Sequence, residues 1–197
     1  MSQDARAKKI EDAAYQVFET KGFNGPSLFA IAKQSNASYL IMYKWYGSKV
    51  GLFSAMIESN TRAVVAELET AKKTGKTGLS ALQDGGASRL HMVTSDRAIT
   101  LNRAAAADTT GTLGKILAEQ GRARVLPKLE ELLKDAYGVD QDVSDQTECF
   151  VSLLIGDLQI RRAIGAITPL EPAQIERRAA LAIQRLKTIY PLPNGGA

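Results

Sequence analysis

The chain has 197 residues, a formal net charge of +4, and one residue each of cysteine, histidine and tryptophan. With 45% hydrophobic and 23% charged residues it is an ordinary globular composition, which excludes wholesale disorder, and its length suffices for one large domain or two small ones. A lone Cys149 excludes an internal disulfide, and Cys149 with His91 cannot build a Cys/His zinc site, so neither metal nor cofactor is expected. The best apolar run, Phe150 to Ile155, is broken by Ser152 and ended by Gly156-Asp157, far short of the ~18 residues of a spanning helix, so no membrane partner is expected. Met1-Ser2-Gln3-Asp4 carries no signal-peptide core, and a cytoplasmic location is expected.

Helical spacing dominates the chain. Ile10, Ala13, Ala14, Val17 and Phe18 form one stripe and predict a helix over 5–21, stopped by Lys21-Gly22. Ser27 then caps a short helix ending near Gln34, with Leu28, Ile31 and Ala32 inward. Asn36 accepts a left-handed turn, and Ser38 can cap a third helix over 39–45 that buries Met42. After Gly47, Ser48 can cap a longer helix carrying Leu52, Phe53, Met56 and Ile57. Beyond Gly75 and Gly78 comes a Gly-interrupted helical stretch through Leu82, Leu90 and Val93, then a helix over 96–107. Residues 112–136 contain Gly121 and Pro127 inside an apolar pattern, which predicts a kink or two helices. Helices over 143–166 and 172–190 close the chain, before a Pro-Leu-Pro-Asn-Gly-Gly-Ala tail expected to fray. No period-2 run is present, so the fold class is all-α.

Charge is uneven. Residues 1–50 hold seven Lys/Arg against four Asp/Glu, so most of the net positive charge lies in the first quarter. That bias fits an anionic partner such as nucleic acid, and equally an ordinary solvated surface. The two short helices of residues 27–46 sharpen it. A helix-turn-helix braces one helix on the DNA backbone and sets the next into the major groove. Here the second helix is too short to be stable alone, and its outward face reads Tyr39, Leu40, Tyr43 and Lys44, followed by Trp45, Tyr46 and Lys49. Tyr hydroxyls and Lys ammonium groups donate to phosphates, and Leu40 can pack on a thymine methyl. Tyr43 and Lys44 read as DNA-facing, Tyr46 as part of a small core between the first and fourth helices.

Residues 10–57 resemble the DNA-binding domain of TetR-type transcriptional regulators. The resemblance rests on Ile10, Ala13-Ala14, Val17-Phe18 and Lys21-Gly22-Phe23, then Ser27 and Ile31-Ala32, then Ser38, Tyr43, Tyr46-Gly47-Ser48-Lys49 and Leu52-Phe53. It implies a homodimer with a helix-turn-helix domain at 1–48 and an effector-binding, dimerising domain at 49–197. It also implies phosphate contacts at Ser27, Tyr43 and Lys49 and base-reading positions at Tyr39 and Leu40, which with Ser38 and Lys44 make up the expected DNA-binding residues. Three departures stand out. Asn36-Ala37 replaces the usual Gly-Val turn, Leu40-Ile41 a small or polar pair, and Val50-Gly51 an acidic start that would firm the first turn of helix four. Leu113-Gly114, Gly121 to Leu126, Ile155 to Leu158 and Arg161-Arg162 are more loosely similar to regulators related to multidrug-efflux control.

For the second domain, Leu154, Leu158, Ile183 and Leu186 are candidates for a dimer interface, for the monomer core, or for both. Effector-pocket candidates are Met56, His91, Met92, Asn102, Phe150 and Leu153. His91 is alternatively a satisfied or exposed histidine, and Cys149 a small buried hydrophobe or a redox sensor. Gly85-Gly86 is expected to loosen the fifth helix. The implied function is a ligand-responsive regulator, in the usual case a repressor, that binds a palindromic operator and is released by a small hydrophobic effector. The alternative is a ligand-insensitive DNA-binding or protein-interaction module, which a second domain without a cavity would support. An enzyme is disfavoured, because no phosphate loop or nucleophile elbow appears and Glu130-Glu131 reads as a solvated face.

Overall fold

Serine and glycine punctuate the N-terminal helices as the spacing predicts. Helix α1 (Gln3–Lys21) starts where the Ser2 hydroxyl accepts from the Ala5 amide at 3.3 Å and stops at Gly22, whose φ is 67°. Helix α2 (Leu28–Gln34) is capped by Ser27, whose Oγ accepts from the Ala30 amide at 3.1 Å. Asn36 makes the turn with φ 53°, and α3 (Tyr39–Tyr46) ends at Gly47, φ 68°. Ser48 then accepts from the Gly51 amide at 3.0 Å and opens α4 (Lys49–Lys73). The computed structural model describes residues 2–73 and 77–193, with the backbone alone for 71–73; Gly75 and the Asn194–Ala197 end of the tail lie outside the described residues.

The remaining helices are α5 (Gly78–Thr94), α6 (Asp96–Ala106), α7 (Thr112–Leu117), α8 (Ala123–Tyr137), α9 (Ser144–Ile155), α10 (Leu158–Ala163) and α11 (Pro172–Ile189), and no strand occurs among the described residues. The protein is all-α, as expected. One helix differs from the reading of the sequence, and the expected break in another segment is located. The expected helix over 143–166 is two, because Gly156 takes φ 50° and its neighbour Arg178 comes within 2.9 Å of where a Cβ would stand. The Arg178 Nε donates to the Leu154 carbonyl at 3.0 Å, satisfying a helix-end oxygen. The break in 112–136 falls at a π-helical turn over Ala118–Arg122, not at Pro127. There the Ala123 amide reaches back five residues to Ala118, and Pro127 sits within α8 beyond it.

These helices enclose two cores. The N-terminal one packs Ile10, Phe18, Ile31 and Met42 against Leu52, Phe53, Met56 and Ile57 of α4, and is completed by Leu101 and Ala104 of α6 and Leu113 of α7. The larger one gathers Val64 and Leu68 of α4 with Leu82, Leu90, Leu129, Leu133, Phe150, Leu154, Ile183 and Leu186. The core of the first domain therefore runs past residue 48 into three later helices. Gly85 and Gly86 are buried contact points, contrary to the expectation of a loosened segment. A Cβ at Gly85 would stand 2.1 Å from the Leu68 Cδ2 and one at Gly86 2.7 Å from the Phe150 Cζ, so α4 and α9 approach α5 as closely as glycine permits.

Substitution of Gly86 by alanine tests this contact. In an open helix Gly→Ala stabilises by about 1 kcal/mol. Here overpacking against the fully buried Phe150 ring should reverse the sign and destabilise by about 1–3 kcal/mol in urea unfolding. A stabilised variant would contradict the close packing.

Candidate DNA-reading surface and cavity

Burial of Leu28, Ile31, Ala32 and Met42 fixes which faces of α2 and α3 remain outside. Leu40 is 76% exposed, Tyr43 58% and Tyr39 46%, and the Lys44 side chain is also exposed. Phe29 on α2, not singled out in the sequence, joins them at 63% exposure. Its ring lies 5.9 Å from that of Tyr39, which lies 6.3 Å from that of Tyr43, making an aromatic row across both helices. Phe29 was legible, since it stands one residue off the Leu28–Ile31–Ala32 stripe and must point away from it. Trp45 and Tyr46 instead pack against the N-terminal core, and burial pushes the Tyr46 phenol up to about 12.

Charge reinforces this surface. No Asp or Glu occurs from Thr20 through Ile57, a stretch containing Lys21, Lys33, Lys44 and Lys49. Two acids of α1 face the other way. Asp12 pairs with Arg97 of α6, and Glu11 accepts from Ser59 of α4. Burial raises the Glu11 pKa, with the Ser59 hydroxyl and the Arg97 and Arg62 charges opposing that rise.

The serines divide into two kinds. Ser27 is engaged as the α2 cap, whereas Ser38 stands at the α3 N-cap with no side-chain cap bond, so its exposed hydroxyl faces solvent. Lys49 differs from the expectation of a free phosphate donor. Its ammonium turns inward and donates to the carbonyl oxygens of Phe23 at 2.5 Å, Pro26 at 2.9 Å and Asn24 at 3.5 Å. It also lies 4.5 Å from the Phe23 ring centre, and burial holds its pKa below the usual lysine value. Lys49 thus ties the α1–α2 loop to the start of α4. Gly51, read as a weak point of that turn, permits a close approach: a Cβ there would stand 1.9 Å from the Tyr46 carbonyl oxygen.

A cavity of about 280 Å³ lies between α4, α5, α6, α7, the π turn and α9. Of the candidates, Met92 and Asn102 line it, together with Ile57, Thr61, Leu101, Leu117 and Val151. His91 lines an adjoining surface groove with Met92, Glu67 and Glu176. The other candidates lie elsewhere: Met56 and Phe150 are fully buried in the two cores, and Leu153 packs on the larger one. Leu154, Ile183 and Leu186 also fill the core of the single chain, and of that set Leu158 alone is half-buried. Cys149 is half-buried beside the same core, and burial raises its thiol pKa.

The cavity wall is bonded to α4. The Ser54 hydroxyl donates to the Gln120 Oε1 at 2.7 Å, and the Thr61 hydroxyl lies 3.4 Å from the Gln120 carbonyl. Arg124 pairs with Glu58 at 2.9 Å. One face of α4 therefore meets the π turn and the start of α8 over two helical turns, from Ser54 to Thr61, overlapping the residues that pack the N-terminal core.

Residues 80–190 match the family model of the C-terminal domain of AefR-like transcriptional repressors, a TetR-type model. Comparison with curated protein sequences finds no match. Among solved structures, a proposed TetR-family transcriptional regulator from Mesorhizobium loti is similar with a TM-score of 0.75 at 20% identity, covering 96% of this chain and 98% of the other. A TetR transcriptional regulator from Agrobacterium tumefaciens is similar with a TM-score of 0.70 at 22% identity, covering 99% of this chain and 98% of the other. The transcriptional regulator FadR from Bacillus subtilis, in complex with stearoyl-CoA, is similar with a TM-score of 0.72 at 13% identity, covering 96% and 99%. Among the described residues no helix is long and apolar enough to cross a membrane.

The inward lysine gives a stability test that separates it from its exposed neighbour. Lys49→Met should lower the urea-unfolding free energy by about 1–3 kcal/mol, because it strips the donor from loop carbonyls around the buried Pro26. Lys44→Met should stay within about 0.5 kcal/mol of the parent. Equal effects would show that the Lys49 contacts contribute nothing to the fold.

Proposed function

The chain belongs to the TetR family of transcriptional regulators, and from that premise we propose that it is a ligand-responsive repressor binding a palindromic operator as a homodimer. The observation that carries this reading is the exposed row of Phe29, Tyr39 and Tyr43 on a surface without carboxylates, coupled through α4 to an internal cavity. Phosphates meet the hydroxyls of Ser27, Ser38 and Tyr43 and the Lys44 ammonium, while Tyr39 and Leu40 face base edges in the major groove. Lys49 adds positive charge behind this surface and holds the loop that presents Ser27. The functional division stands at 1–48 for reading DNA and 49–197 for sensing and dimerising.

Dimerisation places two copies of α3 on one face of the duplex, about 34–36 Å apart. We place the partner chain on the solvent side of α9 and α11, where Ser152, Ala180 and Gln184 are exposed and Leu153 and Leu181 half-buried, with the half-buried Leu158 of α10 beside them. A small, largely hydrophobic effector enters the cavity and favours a second spacing of the reading heads. The stearoyl-CoA held by FadR supports a small-molecule role for this fold, and the cavity argues against a ligand-insensitive module. Release needs only differential affinity of the effector for the two spacings, typically about 1–3 kcal/mol.

Gel-shift titration on DNA flanking the protein's own gene, at several salt concentrations, tests the reading surface. Wild type should bind specifically. Lys44→Ala should weaken binding on all sequences and reduce the salt slope by about one. Tyr43→Phe should cost roughly tenfold or more through loss of a hydrogen bond to a charged phosphate. Absence of specific binding, or indifference to both substitutions, would overturn the assignment.

A further inference from the structure

Among the described residues two arginines are buried in the second domain, and only one is partnered there. Arg162, 7% exposed, donates through Nε to the Thr94 carbonyl at 3.0 Å and through Nη1 to the Ile167 carbonyl at 3.2 Å, and pairs with Asp96. Arg89 of α5 is 4% exposed, lines the cavity, and has a fully buried Nε with no hydrogen-bond partner. No hydrogen bond or ion pair to its guanidinium is found among the described residues. No carboxylate lines the cavity either, and the second charged group there is Arg122 of the π turn. Two amide groups on the wall are already engaged: Asn102 donates to the Ala98 carbonyl at 2.8 Å and Gln159 to that of Val93 at 3.1 Å.

A buried guanidinium without a counter-ion is costly, and so is a buried N–H without an acceptor. Burial and, to a smaller extent, the Arg122 charge lower the Arg89 pKa to about 10, so it remains cationic at neutral pH. The charge therefore waits on an anion from outside the chain. A guanidinium presents parallel N–H groups that match a planar carboxylate. Around it the cavity is apolar, with Ile57, Leu101, Leu117, Val151 and Ile155 on its walls. Its volume of about 280 Å³ lies just below the ~300–1,000 Å³ of common small-molecule sites, which favours a compact ligand over a long-chain one.

We propose that the effector is a small amphipathic carboxylate, its carboxylate seated on Arg89 and its apolar body along the walls of α4, α6 and α7. This names the chemical class of the effector and rests on the ligand-responsive reading above. Binding pairs the one unpartnered buried cation of the cavity and neutralises its repulsion with Arg122. It also presses the apolar body against Ile57, at the junction of α4 with the N-terminal core.

Calorimetric titration with two matched pairs tests the proposal: octanoate against octanamide, and 3-phenylpropanoate against its amide. In wild type at least one acid should bind ten-fold or more tightly than its amide. Arg89→Met should fold with an unchanged or higher melting temperature without ligand, since it removes an unpaired buried charge, and should lose the preference. If Arg89→Met does not fold, the wild-type ratios still decide. Amides that bind as well as the acids, a preference that survives in Arg89→Met, or no binding of either acid would overturn the proposal. Parallel gel shifts without ligand keep the two readings apart. A protein that prefers the acids but binds no operator would overturn the functional reading alone, whereas operator binding with no acid preference would overturn this proposal alone.

Discussion

Between Leu52 and Leu68 a single helix passes from one hydrophobic core into the other, and the placement of the rest of the molecule follows from that. The first turns of α4 bury Leu52, Phe53, Met56 and Ile57 against α1 and α3, and a later turn buries Val64 and Leu68 against α5 and α8. A close-packed interior does not yield continuously, so a displacement imposed on one end of such a helix is felt at the other. The cavity lies at the crossover, lined by Ile57, Asn60 and Thr61. Its far wall, the π turn, is held to α4 at Gln120 through Ser54 and Thr61, and Glu58 on the same face pairs with Arg124 at the start of α8. π turns are uncommon and gather at functional sites, and here the turn connects a ligand-sized space to the helix that supports the reading head.

Charge divides the molecule in the same way. Glu11 and Asp12 of α1 turn back toward Ser59 and Arg97, and the outer faces of α2 and α3 carry lysines, hydroxyls and aromatic rings. That arrangement presents phosphates with no like charge from residues 20–57. Inside the second domain the pattern inverts. Arg162 is buried with Asp96 and two carbonyls to complete it, and Arg89 is buried with no partner for its Nε among the described residues. One arginine holds α10 to the α5–α6 junction, and the other lines the cavity.

Local chemistry made the N-terminal half legible. Ser27, Gly22, Asn36, Gly47 and Ser48 act within one turn of their own position, and each takes the conformation or cap that its residue type favours. The stripes of α1 and α2 settled their buried faces for the same reason. What the sequence concealed depends on distant partners. Gly156 breaks a strongly periodic segment because Arg178, from another helix, occupies the space a side chain would need. Lys49 turns inward because the loop carbonyls of residues 23–26 converge on it, which no spacing rule encodes. Gly85 and Gly86 read as weakness until Leu68 and Phe150 are seen against them. Arg89 was in principle visible: it occupies a position on the stripe of Leu82, Gly85, Gly86, Leu90 and Val93, where a charge is out of place.

If α4 makes the cavity and the reading surface one mechanical unit, backbone hydrogen exchange detects the coupling without a ligand. Gly114 lines the cavity, and a Cβ there would meet nothing within 4 Å, so Gly114→Leu fills the space while leaving the fold intact. Amide protection should then change in residues 54–61 of α4 and in Tyr39–Tyr46 as well as in α7. A change confined to residues 112–122 would contradict the account.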